Sequence, residues 1–101
     1  MALEQIRHQA AVENVRITQH ADQEMVEEEI FLNELLEAIA GGQIMENYPE
    51  HRRGTCCLVN GTTNQGRPLH IGCTTAQPFL TIITAYEPKA PKWITPVERN
   101  R

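Results

Sequence analysis

The stretch RPLHIGCTTAQPFLTIITAY, from Arg67 to Tyr86, holds two runs rich in Ile, Leu and Thr separated by Gln77-Pro78. Two such runs around a proline break predict a β-hairpin. Its second arm, Leu80 to Tyr86, is apolar enough to be a central strand. On the first arm, alternation places His70 and Gly72 on one face and Leu69, Ile71 and Cys73 on the other. The rest of the chain reads as cover for a sheet built on this hairpin.

Upstream of the hairpin the hydrophobic period is two as far back as Gln43. Gln43 to Tyr48 alternates Ile44, Glu46 and Tyr48 against Met45 and Asn47 and stops at Pro49, which predicts a strand near an edge. Thr55 to Val59 predicts another, joined to the hairpin by the polar loop NGTTNQG from Asn60 to Gly66. Four strands in a meander follow.

Before Gln43 the period is helical. Leu3, Ile6 and Ala10 share one side of a helix over Ala2 to Val15. Thr18 is an N-cap for a second helix from Gln19 to about Glu28, with Ala21 and Met25 inward. Glu27, Glu28 and Glu29 crowd the negative pole of that helix, so its end is poorly made. A third helix runs from Leu32 to Ala40 on a stripe of Leu32, Leu35, Leu36 and Ile39, and Gly41-Gly42 predicts a left-handed exit. The expected fold class is therefore α+β, with two to three N-terminal helices packed on a mostly antiparallel four-stranded meander sheet. The domain is expected to span 1–94. Beyond Tyr86, three prolines predict an extended segment pinned by Trp93, with 95–101 as a flexible C-terminal tail.

A chain of 101 residues, 41% apolar and 22% charged, has the composition of one globular domain, too small for a deep interdomain cleft. A formal charge of -4 disfavours strong non-specific RNA binding, which depends on Lys and Arg neutralising phosphates. The N-terminus MALEQIRHQ carries charge where a signal peptide needs an apolar core, and no run is long enough to span a membrane, so a cytoplasmic protein without membrane partners is expected. Three cysteines suit reducing conditions, and all are expected as buried thiols. Cys56 and Cys57 point to opposite faces of one strand, and His70 and Cys73 fail the same parity test, so neither a metal nor a cofactor is assigned.

Thr18-Gln-His20-Ala21 with Met25, Gly42-Gln-Ile44-Met-Glu46-Asn-Tyr48-Pro49, Gly66-Arg67-Pro68-Leu69-His70 and Thr84-Ala-Tyr86-Glu87-Pro88 with Trp93 resemble the successive motifs of a small bacterial domain-of-unknown-function family. Its pattern is a "T.HA..RM" segment, a "G.II..YP" strand, a "GRPLH" strand and a "TVYEP...W" ending. The resemblance covers about Ile17 to Trp93 and leaves the N-terminal helix, 1–16, outside it. That family is placed near the RelE, ParE and BrnT toxins, compact α+β proteins of which many cleave RNA, so the resemblance implies a RelE-like fold. Fold analogy carries no activity with it. Three positions depart from the pattern: Glu24 stands where it has Arg, Glu29 where a Gly links the helices, and Phe31 where a Ser caps the third helix. With Glu24 one turn after His20, that helix face presents a cation beside an anion, which weakens phosphate binding there.

Metal-independent RNA cleavage needs a base, an acid and a donor for the phosphorane charge. The candidates are His20 and His70 as base or acid, Arg67 as phosphate clamp and Tyr86 as donor or stacking surface. Each also has a plain structural reading: His20 can bond its helix end or pair with Glu24, His70 can be a satisfied half-buried strand residue, and Tyr86 a core aromatic with its hydroxyl at the rim. Arg52-Arg53 and Lys89 to Lys92 read as solvated charge. Three functions stand side by side: a binding module that keeps a toxin-like fold without catalysis, an RNA-cleaving enzyme, and a small-ligand binder on the His70 and Tyr86 face. A protein partner or homodimer through a sheet edge belongs to the first.

Overall fold

The computed structural model describes residues 3–52, 54–89 and 93–99. In chain order it contains α1 (Leu3–Ala11), β1 (Val15–Ile17), α2 (Gln19–Glu27), α3 (Leu32–Ala40), β2 (Gln43–Tyr48), β3 (Cys56–Thr62), β4 (Pro68–Thr74), β5 (Leu80–Tyr86), β6 (Trp93–Thr95) and β7 (Glu98–Arg99). The class is α+β, with three helices and a five-stranded mixed sheet in the order β1-β5-β4-β3-β2.

The expected meander is present as β2 to β5, each antiparallel to the next. The four-stranded expectation is corrected by β1, which pairs parallel to β5 through Val15↔Leu80 and Ile17↔Ile82. Val15, Arg16 and Ile17 are too few to show a period, and the sequence reading absorbed Val15 into the first helix, which stops at Ala11 instead. A second correction concerns the segment beyond Tyr86, where β6 and β7 pair as a two-stranded ribbon in place of an extended tail. The expected anchoring of the Trp93 side chain lies outside the described residues, as do Ala2, Arg53, Lys92 and the last two residues of the tail.

Two helices end in the same way. After α1, the amide of Asn14 donates to Gln9 (2.9 Å) and that of Glu13 to Ala10 (3.0 Å). After α2, Ile30 donates to Met25 (2.8 Å) and Glu29 to Val26 (3.3 Å). Both are Schellman closures, and both place a glutamate at φ 55, in the left-handed region that favours glycine. Ile30 is buried in the same core cluster as Met25 and Leu35, at the positions where a Schellman closure and a hydrophobic staple place their apolar residues. The Glu34 carboxylate reaches back to the Phe31 amide (3.0 Å), so α3 keeps one half of a capping box although Phe31 has no capping oxygen.

The expected left-handed exit at Gly41-Gly42 does not occur, since Gly41 has φ -105. These glycines serve close approach instead. A Cβ on Gly42 would meet Val59 Cγ1 at 2.6 Å, and one on Gly61 would meet the Ala38 carbonyl oxygen at 2.0 Å, so the end of α3 lies directly on β3. Arg7 of α1 fixes the same corner by donating to the Gly42 carbonyl (2.7 Å).

The core lies between the helices and one sheet face, where Ile6, Ala21, Met25, Leu35 and Ile39 meet Val59, Leu69, Ile71, Leu80 and Ile82. Leu32, expected in the α3 stripe, is exposed, and Ala38 is buried in its place. Strand alternation sends Cys56, Leu58, His70, Gly72 and Thr74 to the opposite face, where they too are buried. Replacing Glu29 or Glu13 by Gly relieves the left-handed strain of a side chain, and each change is expected to raise stability by about 1 kcal/mol in urea unfolding.

Candidate functional site

Strand β5 is paired by β1 over three residues only, so the outer backbone groups of its second half need other partners. Residue by residue, α2 and its cap supply them. The Thr18 amide donates to the Ile82 carbonyl (3.0 Å), and the Thr18 hydroxyl donates to that of Ile83 (3.2 Å) while capping α2 by accepting from the Ala21 amide (3.2 Å). Glu24 Oε1 then accepts from the Ala85 amide (3.2 Å) and the Thr84 hydroxyl (2.5 Å), and Glu28 Oε1 accepts from the Glu87 amide (2.9 Å). The spacing explains the fit. Four residues of helix advance about 6 Å, and two residues of strand about 6.6 Å, so two glutamates one turn apart meet alternate strand amides.

Arg67, just before β4, is held at the far end of this seam. Its guanidinium donates to the Glu28 carbonyl (2.6 Å) and the Glu29 carbonyl (3.0 Å), contacts Glu34 Oε1 at 3.5 Å and pairs with Glu87 Oε2 at 3.5 Å. The crowding of acids at the end of α2 is thus offset by a cation placed on the carbonyls just past its last residue. Lys89 adds a weaker contact to Glu28 at 4.0 Å.

His70, whose plain reading is a satisfied half-buried strand residue, is wholly buried, at 0% exposure. Its Nε2 lies 2.5 Å from the Pro96 carbonyl, in the turn between β6 and β7, and its Nδ1 lies 3.3 Å from the Tyr86 hydroxyl. A carbonyl only accepts, so Nε2 carries the proton, and in the neutral ring Nδ1 accepts from Tyr86. The two rings meet edge to face with centroids 5.4 Å apart. The space beside Gly72 is filled, because a Cβ there would meet Thr84 Cγ2 at 2.6 Å.

The four candidate residues therefore do not form one open site. His70 and Tyr86 touch, and Arg67 joins them through Glu87, the neighbour of Tyr86. His20 sits on the first turn of α2 with its side chain 68% exposed, and its Nε2 pairs with Glu24 Oε1 at 3.3 Å. The sequence assigns no place in the site to Glu28, Thr84, Glu87 or Pro96. The signal for the first was present in Glu24 and Glu28, acids one turn apart on a helix flanking an apolar strand. Beside Arg67, an open groove between the start of α3 and the β3–β4 loop is lined by Glu29, Glu34, Glu37, Thr63 and Asn64, so acids outnumber the one guanidinium there.

A compact α+β domain whose polar seam is satisfied from within defines the structural class. The comparison with protein families gives the particular one: residues 17–87 match the model of the Domain of unknown function (DUF4258), and the chain belongs to that family. No curated protein and no solved structure matches it. Among the described residues, no helix is long and apolar enough to cross a membrane.

Arg67→Ala removes two carbonyl caps and leaves Glu34 and Glu87 without their cation, so a loss of about 1–3 kcal/mol in urea unfolding is expected. Arg67→Lys should recover only part of this, because a point ammonium cannot span two carbonyls and two carboxylates.

Proposed function

We propose that this chain is a non-catalytic binding module that keeps a compact, toxin-like α+β fold, and that it takes a protein partner through the edge of its sheet. One observation carries the reading: the Arg67 guanidinium, the cation expected to clamp a phosphate, is engaged by two backbone carbonyls and two carboxylates of its own chain. A phosphate would have to displace those partners and approach Glu28, Glu34 and Glu87 against their charge. His70 supports the same reading, since one ring nitrogen is a donor to Pro96 and the other meets Tyr86. Glu24, where the resembled RelE-related pattern has arginine, acts as an acceptor for the β5 edge. The net charge of -4 weighs against RNA as the partner.

The sheet offers β2 for docking. It is the terminal strand of the order β1-β5-β4-β3-β2, six residues long, and no strand pairs with its outer side among the described residues. Such an edge accepts a strand from a second copy or another protein by backbone pairing. The second reading, metal-independent RNA cleavage, is favoured by one observation, the exposed His20 held beside Glu24, which could pass a proton to or from a bound nucleotide.

The purified protein, incubated with a mixed RNA pool in metal-free buffer, is expected to leave the RNA intact, and His20→Ala and His70→Ala variants should be indistinguishable from it. Cleavage by the wild type that disappears in His20→Ala, with circular dichroism unchanged, would replace the binding reading with the enzymatic one. Sedimentation over a wide concentration range, with Met45→Lys on β2 as the comparison, separates a second copy from a different protein as the occupant of the edge.

A further inference from the structure

Cys57 and Cys73 are Cα partners across the antiparallel β3–β4 pair, and their side chains enter the helix-facing core together. Their sulfurs lie 3.9 Å apart, and both residues are at 0% exposure. Cys56 points the other way, with its thiol on the Gly54 carbonyl at 3.3 Å. We propose that Cys57 and Cys73 are the two halves of a reversible cross-strand disulfide, formed by a small peroxide-class oxidant and opened by thiols.

Directly opposed strand residues have Cα atoms about 4.5–5.5 Å apart, inside the range of about 4.4–6.8 Å that a disulfide spans. Closing the sulfur gap from 3.9 Å to about 2.05 Å therefore needs side-chain rotation and no change of register. The rung is the second from an open end of the strand pair, behind Cys56↔Thr74. A small cleft lined by Gln5, Thr55, Thr75 and Ala76 lies at that end, where the Thr74 hydroxyl latches the Thr55 carbonyl at 2.6 Å. Fraying of one terminal rung brings water and a molecule the size of hydrogen peroxide to the sulfurs.

The two thiols share one hydrogen bond. The hydrogen bond between them lowers the Cys57 pKa, against the burial that raises it. The same bond, with burial added, pushes Cys73 far up. Either sulfur can be the donor in that bond, so either can attack and the other resolve; with Cys57 attacking, Cys73 is the resolving thiol. The Cys57 thiolate attacks one peroxide oxygen, the O–O bond breaks, and the hydroxide released takes a proton to become water. Cys73 sulfur then attacks Cys57 sulfur, the S–O bond breaks, and the second oxygen leaves as water with the Cys73 proton. Two thiols and one peroxide give one disulfide and two waters, with two electrons passing from sulfur to peroxide. A dithiol reductant reverses the bond by exchange.

The test is a thiol count on the folded protein after hydrogen peroxide, by alkylation under denaturing conditions and peptide mass mapping. The expected result is one alkylated cysteine of three, Cys56, with a Cys57–Cys73 linked peptide that dithiothreitol releases. Cys73→Ala should stop at a sulfenic acid on Cys57 that dimedone traps. Three alkylated thiols, a link that includes Cys56, or oxygen adducts without a link in the wild type would each overturn the proposal, whether or not the variant folds.

Discussion

The outer edge of β5 is the constraint on which the rest of this molecule depends. A central strand that is paired on one side and only half paired on the other leaves amides that cannot be buried without acceptors. Two carboxylates, Glu24 of α2 and Glu28 at its C-cap, supply them to Ala85 and Glu87. Once that seam is set, α2 has a fixed height along β5. The left-handed Glu29 then turns the chain at one place, Ile30 drops into the core, and α3 starts over the middle of the sheet. The negative pole created at the end of α2 in turn needs a cation, and Arg67 provides it from the residue before β4, the strand that pairs with β5.

This chain of dependence explains why residues with the chemistry of a nuclease site are occupied with structure. Arg67, His70 and Glu24 each have the groups a phosphoryl-transfer site needs, and each spends them on backbone and side-chain partners within the chain. A guanidinium bonded to helix carbonyls and a histidine bonded to the Pro96 carbonyl are satisfied at rest, whereas catalytic groups need reach to a substrate. His20, exposed on the first turn of α2, is the one candidate whose ring faces water. Membership of a family described only by its unknown function leaves the activity to be argued from this geometry.

The sequence made the helices and the meander legible because each repeats its period long enough to be read. Leu32 to Ala40 and Leu80 to Tyr86 were bounded to the residue by an apolar stripe and by proline or glycine punctuation. β1 was not legible, since three residues carry no period and its place beside β5 is set by tertiary pairing. The full burial of His70 is not legible for a related reason: alternation says which face a residue takes but not what covers that face. The cover is Pro96, 26 residues further on, in a ribbon too short to predict. Arg67 looked like a free cation because its acceptors are carbonyls of residues almost 40 positions earlier, and a backbone carbonyl leaves no trace in composition.

Amide hydrogen exchange at Ala85 and Glu87 is the most direct measurement of the central claim that α2 completes the sheet with side chains. The account predicts that both amides are protected in the native chain. Glu24→Ala should then expose Ala85 selectively and Glu28→Ala expose Glu87, while Glu24→Gln, which keeps an acceptor oxygen, retains most of the protection. Rapid exchange of both amides in the native protein, or protection that persists in the two alanine variants, would contradict it.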